Sequence, residues 1–339
     1  MNKTMTICRI AVSALLLSTA IILPRPAAAG RLGPDIIALF PKEVGEFGYA
    51  DLKKARQEKW FPQLKEQMLP ERFRQFEQFL ASSGTDPNTQ VEELAWGLVA
   101  DAPEAKEDGA SYVPSGEQIV GVALGSFNPN SAEAYFKTQK LPTFKSHGFT
   151  LFAFGTGAGP NDLFFLFIDS NTAAFGNRKQ LEKLLEVRFG EEEGLLRNDK
   201  FFPLINEANG SGVVWAVLNP AYTRLAIRQL APEIEQFPEA AKLVRRMQNL
   251  LINIEAGSSV DGRFQAVCGS VEDANTLAQL LQAGFLYKRY QAQQNNPDLA
   301  QLIDGTRITP AGDRVELRLS LSDEQMTSLI KRNTFGFKM

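Results

Sequence analysis

The chain has 339 residues, of which 44% are hydrophobic and 22% charged, and its formal net charge is -3. A mildly acidic chain offers no basic face to nucleic acid, and one of this length buries a sizeable core without disulfide staples. A single histidine argues against zinc sites built on several imidazoles.

The first segment gives an address. Lys3 and Arg9 flank the start of an apolar run from Ile10 to Leu23, which Pro24 breaks. Ala27-Ala28-Ala29 then offers small side chains for cleavage before Gly30. The run is shorter than the ~20 residues a membrane-spanning helix needs. Residues 1–29 are therefore expected to be an export signal, leaving a periplasmic or extracellular product with no membrane span. The rival expectation is an uncleaved anchor. Cys8 would leave with the signal, so Cys268 would be the only thiol and no internal disulfide is expected. No cysteine follows the apolar run, which argues against a lipid anchor.

Strand and helix signals alternate through the rest of the chain. Glu46–Leu52 reads as a strand opening a helix. Trp60–Ser82 has helical spacing in Leu64, Met68, Phe73, Phe76 and Phe79, divided by Pro70. Gly84–Pro87 is a turn cluster, Leu94–Ala100 a strand, and the acidic stretch Asp101–Glu117 a solvent loop. Ile119–Phe127 is a strand of buried type, and a helix then runs to Lys140 with Asn130 or Ser131 as its N-cap. Thr150–Phe154, Leu163–Ile168 and Thr172–Gly176 form a meander, and Asn177–Arg188 an amphipathic helix.

The second half gives a strand at Val213–Leu218, a helix from Pro220 to Leu230 and another over Pro238–Gln248. Strands follow at Leu250–Ala256 and Arg263–Gly269, then a long helix from Val271 to Gln293. Thr306–Thr309 and Val315–Leu321 read as a hairpin, and a last helix ends near Arg332. Gly125–Ala132 and Gly269–Thr276 both close a strand and open a helix. This order predicts α+β architecture of mostly antiparallel sheet, in two similar halves over 30–196 and 197–339. Two sheets are expected, each covered by helices on one face.

Chemistry is sparse. His147 lies in the turn Lys145-Ser146-His147-Gly148, with no Gly-x-Ser-x-Gly elbow elsewhere, and is expected to face solvent. Ser328-Leu329-Ile330-Lys331 satisfies Ser-x-x-Lys but lacks its companion motifs. Gly155-Thr156-Gly157-Ala158-Gly159 joins two strands, so it is a hairpin tip and not a phosphate loop. Glu92–Glu93, Asp162 with Asp169, and Glu191–Glu193 read as solvated acid. Cys268 fits a small core position. No catalytic residue, metal ligand or cofactor is expected.

The chain holds 24 Phe against six Tyr and three Trp, which raises one ligand-binding candidate. Phe149, Phe152, Phe154, Phe164, Phe165 and Phe167 fall in neighbouring strands and could line a hollow for a lipid or fatty acid. Packing alone would also account for them.

An export signal followed by Phe40-Pro41-Lys42-Glu43-Val44 and then Phe47-Gly48-Tyr49-Ala50-Asp51-Leu52 resembles the opening of a family of exported bacterial proteins with a duplicated α+β domain. The resemblance implies a fold and carries no activity. The leading functional expectation is a non-enzymatic binding or interaction protein of the periplasm or cell envelope, its partner an envelope protein or an apolar small molecule. A carrier of apolar ligands comes second, and an acid/base hydrolase using Asp and Glu third.

Overall fold

A computed structural model describes residues 30–69, 71–100, 118–159, 162–230, 238–295 and 297–332. The expected signal segment and the acidic loop 101–117 lie outside the described residues.

Among the described residues twelve strands form one sheet, every neighbouring pair antiparallel. In chain order they are β1 (Glu46–Asp51), β2 (Val91–Val99), β3 (Gln118–Gly125), β4 (Thr143–Ser146), β5 (Phe149–Phe154), β6 (Leu163–Phe167), β7 (Thr172–Asn177), β8 (Val214–Leu218), β9 (Asn249–Ala256), β10 (Val260–Val267), β11 (Arg307–Ala311) and β12 (Arg314–Leu321). Their spatial order is β11-β12-β10-β9-β8-β1-β2-β3-β7-β6-β5-β4. The α+β class is as the element order predicts. The two expected sheets are one, because β1 pairs with β8 from Glu46↔Leu218 to Ala50↔Val214 and so consumes an edge of each half.

Outward from that central pair the succession is β1-β2-β3-β7-β6 on one side and β8-β9-β10-β12-β11 on the other. The hairpin β4–β5 extends the first side only. Both outer edges are blunted against strand addition: β4 is short and carries Lys145, and β11 carries Arg307 and Pro310.

Side-chain alternation divides the core between two faces. On the first face Phe47, Tyr49, Val122, Leu166, Trp215, Val217 and Leu251 are buried under α1 (Pro34–Ile37), α2 (Arg178–Phe189) and α3 (Phe202–Ala208). On the second face α4 (Glu71–Ser82) and α5 (Pro129–Gln139) lay Phe76 and Phe136 over Phe152, Leu163 and Phe165. Farther along that face α6 (Pro220–Leu230), α7 (Pro238–Arg246) and α8 (Val271–Asn295) cover Ala216, Leu218, Leu250 and Val315. Beyond them α9 (Phe61–Met68), α10 (Pro297–Gly305) and α11 (Asp323–Lys331) close on Val260 and Leu321.

The expectation of helices on one face holds for one side of the sheet only. The β3-β7-β6-β5 region is covered on both faces, by α2 below and by α4 and α5 above. Its strands read as near-continuous apolar runs for that reason. On β10 and β12 the face opposite α8 instead carries Arg263, Gln265, Glu316 and Arg318.

Candidate functional site

The chain from Gly30 to Phe40 lies against the first face, held by the buried side chains of Leu32, Ile36, Ile37, Leu39 and Phe40. Asn209 anchors it from the end of α3: its Oδ1 accepts the Leu32 N–H at 2.9 Å and its Nδ2 donates to the Leu32 carbonyl at 2.9 Å. This segment forms one wall of a cleft of about 430 Å³ through Arg31, Gly33, Asp35 and Ile36. The other walls are Glu92 and Glu93 of β2, Leu124 and Gly125 of β3, and Asn171 and Thr172 at the start of β7. Antiparallel pairing brings these strand ends to one end of the sheet.

A β-bulge sets the acidic wall. Val91 pairs with Gly125 and Glu93 with Leu124, so Glu92 is the extra residue. The Val91 carbonyl takes a hydrogen bond from Arg56 Nη2 at 2.6 Å, and the same nitrogen donates to the Pro87 carbonyl. Gly125 is required by close approach: a Cβ there would sit 1.8 Å from the Gln90 carbonyl oxygen. Asn171 Nδ2 donates to the Gly125 carbonyl at 3.1 Å, which ties the third strand to the rim.

Each glutamate already has a partner. Lys53 Nζ donates to both Glu92 oxygens, at 3.0 and 3.1 Å. Tyr49 Oη donates to Glu93 Oε2 at 2.9 Å. The Tyr49 ring is fully buried and stacks on Trp215 with centroids 5.6 Å apart. Burial first, and then the bond to Glu93, hold its hydroxyl far above the ordinary tyrosine value, so it remains a donor. Gly30 packs directly on this hydroxyl, where a Cβ would come within 2.2 Å of the oxygen. The resulting rim presents Asp35, Glu92 and Glu93 against Arg31 and Lys53, which suits a ligand that donates hydrogen bonds or carries positive charge.

The six phenylalanines proposed from sequence do not line one hollow. Phe149 and Phe164 belong to the first face, whereas Phe152, Phe154, Phe165 and Phe167 belong to the second. The second-face rings pack on each other and on helix residues, with centroids 5.1 Å apart for Phe152–Phe165 and 4.8 Å for Phe136–Phe152. A strand exposes alternate residues to opposite faces, so adjacency in sequence did not bring these rings together.

His147 sits at the β4–β5 turn with φ 49° and stacks on Phe189. Its Nδ1 lies 2.9 Å from Ser146 Oγ and its Nε2 3.1 Å from Glu191 Oε2. A serine, an imidazole and a carboxylate therefore stand in one row. The row is on the surface: the Glu191 side chain is 57% exposed.

Other candidates are structural. Cys268 is buried, and burial, with Asp273 and Asp313 nearby, pushes its thiol up to about 11. The glycine-rich loop is the β5–β6 connection, with Asp162 accepting from Thr156 Oγ1 and the Gly159 N–H. Ser328 and Lys331 lie on α11, whose start is a capping box between Ser322 and Gln325. Among the described residues no group of three or more His, Cys, Asp or Glu is placed to hold a metal ion.

Arg31, Asp35 and Asn171 were not singled out from sequence, Tyr49 entered only within a motif that marks the fold, and Glu93 was read as solvated acid. One signal was present. Glu93 shares its face with Ala95, Gly97 and Val99, an acid at an inward-facing position.

Fold and cleft together define an α+β protein with one antiparallel sheet and a polar, acid-rimmed recess at one end. No protein-family model matches the chain, and no curated protein sequence matches it. Solved structures to which the chain is similar include "Structure of crystal form I of TP0453", at 12% identity and TM-score 0.49, covering 89% of this chain and 99% of that one. "Structure of crystal form IV of TP0453" follows at 9% identity and TM-score 0.43, covering 87% and 95%. At these values the likeness transfers neither ligand nor activity.

Proposed function

We propose that the chain is an exported, non-enzymatic binding or interaction protein of the periplasm or cell envelope, and that its polar ligand meets the cleft between the 30–36 segment and β2, β3 and β7. The observation that carries this reading is the rim itself. Its glutamates are held by Tyr49 and Lys53, so the recess presents oriented acceptors to a donor group. The address rests on the sequence of residues 1–29, and among the described residues no helix is long and apolar enough to cross a membrane.

Two measurements test it. N-terminal sequencing of protein recovered from outside the cytoplasm should begin at Gly30; recovery only from the cytoplasm, still starting at Met1, would remove the address. Calorimetric titration with spermine and with a lysine-rich peptide should show binding that Asp35→Asn weakens about tenfold, the loss of one charge-assisted bond. Binding indifferent to that change, or none, would take the cleft out of the reading.

The row Ser146–His147–Glu191 supports a second reading, a hydrolase with Ser146 as nucleophile. Labelling by a fluorophosphonate that Ser146→Ala abolishes would establish it. An unlabelled protein that also leaves ester, glycoside, peptide and phosphate substrates intact would end it. The apolar-carrier reading has ring density in its favour and a ligand set split between two faces against it. Lipid extraction of the native protein decides, since a bound fatty acid would restore it.

We also infer that the halves 30–196 and 197–339 arose by duplication, on the matching strand succession outward from β1 and β8. An experimental structure whose five paired strands failed to superpose by one two-fold rotation would remove that inference.

A further inference from the structure

We propose that the outward face of α8 is a homodimer interface, on which the same helix of a second copy packs antiparallel. Helix α8 runs from Val271 to Asn295, and its inward side is committed: Ala274, Leu277 and Ala278 are buried against the sheet, and Arg289 pairs with Asp304 of α10. Between Leu280 and Tyr290 the opposite side also carries large apolar side chains, and none of the described residues covers it. Leu280 is 39% exposed, Leu286 65%, Tyr287 62% and Tyr290 67%. A cluster of exposed large apolar side chains on one helix face marks an interaction site.

The spacing of the exposed residues selects the occupant. Leu280, Ala283, Tyr287 and Tyr290 follow each other at intervals of three, four and three, the seam of a two-helix packing. The set is symmetric about Phe285. In an antiparallel pair, Leu280 of one copy faces Tyr290 of the other, and Ala283 faces Tyr287, so each large ring meets a smaller side chain. Gly284 flanks the small position, and a Cβ there would meet nothing within 4 Å. The single chain thus gives no steric reason for a mid-helix glycine that costs about 1 kcal/mol against alanine. A second helix passing close supplies one.

Charge and area agree. From Leu280 to Gln291 the charged residues are Lys288 and Arg289; neither belongs to the seam and Arg289 pairs with Asp304, so no like charges oppose each other across it. Leu280, Ala283, Leu286, Tyr287 and Tyr290 expose on the order of 500 Å², near the most that a monomer usually leaves bare. Two-fold symmetry doubles this to roughly 1,000 Å², where specific pairs begin.

Sedimentation of the full chain at micromolar concentration should give twice the chain mass. Tyr287→Glu and Tyr290→Glu should each weaken the dimer at least ~10-fold, as an aromatic anchor does, with unchanged circular dichroism. Asn275→Asp, exposed on the same helix but off the seam, should leave it intact. In a Cys8→Ser background, a mixture of Ala283→Cys and Tyr287→Cys proteins should cross-link more efficiently than either alone. A chain that stays monomeric, a dimer indifferent to Tyr287→Glu, or preferential Ala283→Cys self-linking would each overturn the proposal. So would a monomer that occupies this face only with lipid vesicles or with a different protein.

Discussion

The two sides of the sheet solve the same burial problem differently. Around β5, β6 and β7 both faces are roofed, and interlocked rings of Phe76, Phe136, Phe152 and Phe165 fill one of the two layers. Around β10 and β12 helices roof one face, and the other is a ladder of charges. Arg263 and Arg318 both bond Glu316 there, and Arg314 reaches Glu207 on α3. The first side is stabilised by apolar area and close packing, which water cannot replace. The second draws on ion pairs that solvent screens, since the Arg263 and Arg318 side chains are 45% and 61% exposed. One sheet can therefore have a stiff flank and a solvated one.

Phe136→Ala should be the most damaging single change. Its ring is 2% exposed and touches Phe79, Tyr135, Phe152 and Phe165, so its loss should cost roughly 3–5 kcal/mol by denaturant unfolding. A cost under about 1 kcal/mol would mean that this side is not close-packed and would erase the contrast. Next comes Asn209→Ala, which frees both backbone bonds to Leu32 and should cost roughly 1–3 kcal/mol. Trypsin should then cut after Arg31 faster than the rest of the chain unfolds. Equal cutting rates in both proteins would show that the cleft wall is held by burial alone.

The smallest effect belongs to the charged flank. Burial works to raise the Glu316 carboxyl, but hydrogen bonds from Arg318 and Arg263 outweigh it and hold the group below the ordinary glutamate value. A carboxyl lowered in the folded state stabilises above its unfolded value, and that contribution fades as pH falls through the folded one. Glu316→Gln should therefore lose no more than about 1 kcal/mol near neutrality and nothing at strongly acidic pH. A loss that persisted unchanged into acid would assign the effect to packing.

Much of the local structure was legible in residue order, and the exceptions have identifiable causes. The meander β5–β7 and the helix α2 follow from apolar periodicity. The start of α5 was displaced: Pro129 stands in its first turn and Asn128 at its N-cap, because proline has no N–H to lose there. Strand β4 was missed because an edge strand of Thr143, Lys145 and Ser146 has no apolar run to show. Strand β10 begins at Val260, since pairing with Ala256 continues through a stretch that resembles a turn. The Glu93 site was missed because the strand was read from Leu94, whereas it begins at Val91 and includes Glu93.

Residue order by itself determined the α+β class and most of the elements, because hydrophobicity and alternation act over a few neighbouring residues. Only the tertiary structure decided that β1 and β8 fuse the halves into one sheet, that six neighbouring phenylalanines part to opposite faces, and that Tyr49 meets Glu93 beside Gly30. Those outcomes depend on strand pairing and register between residues far apart in the chain, and local periodicity carries no information about either.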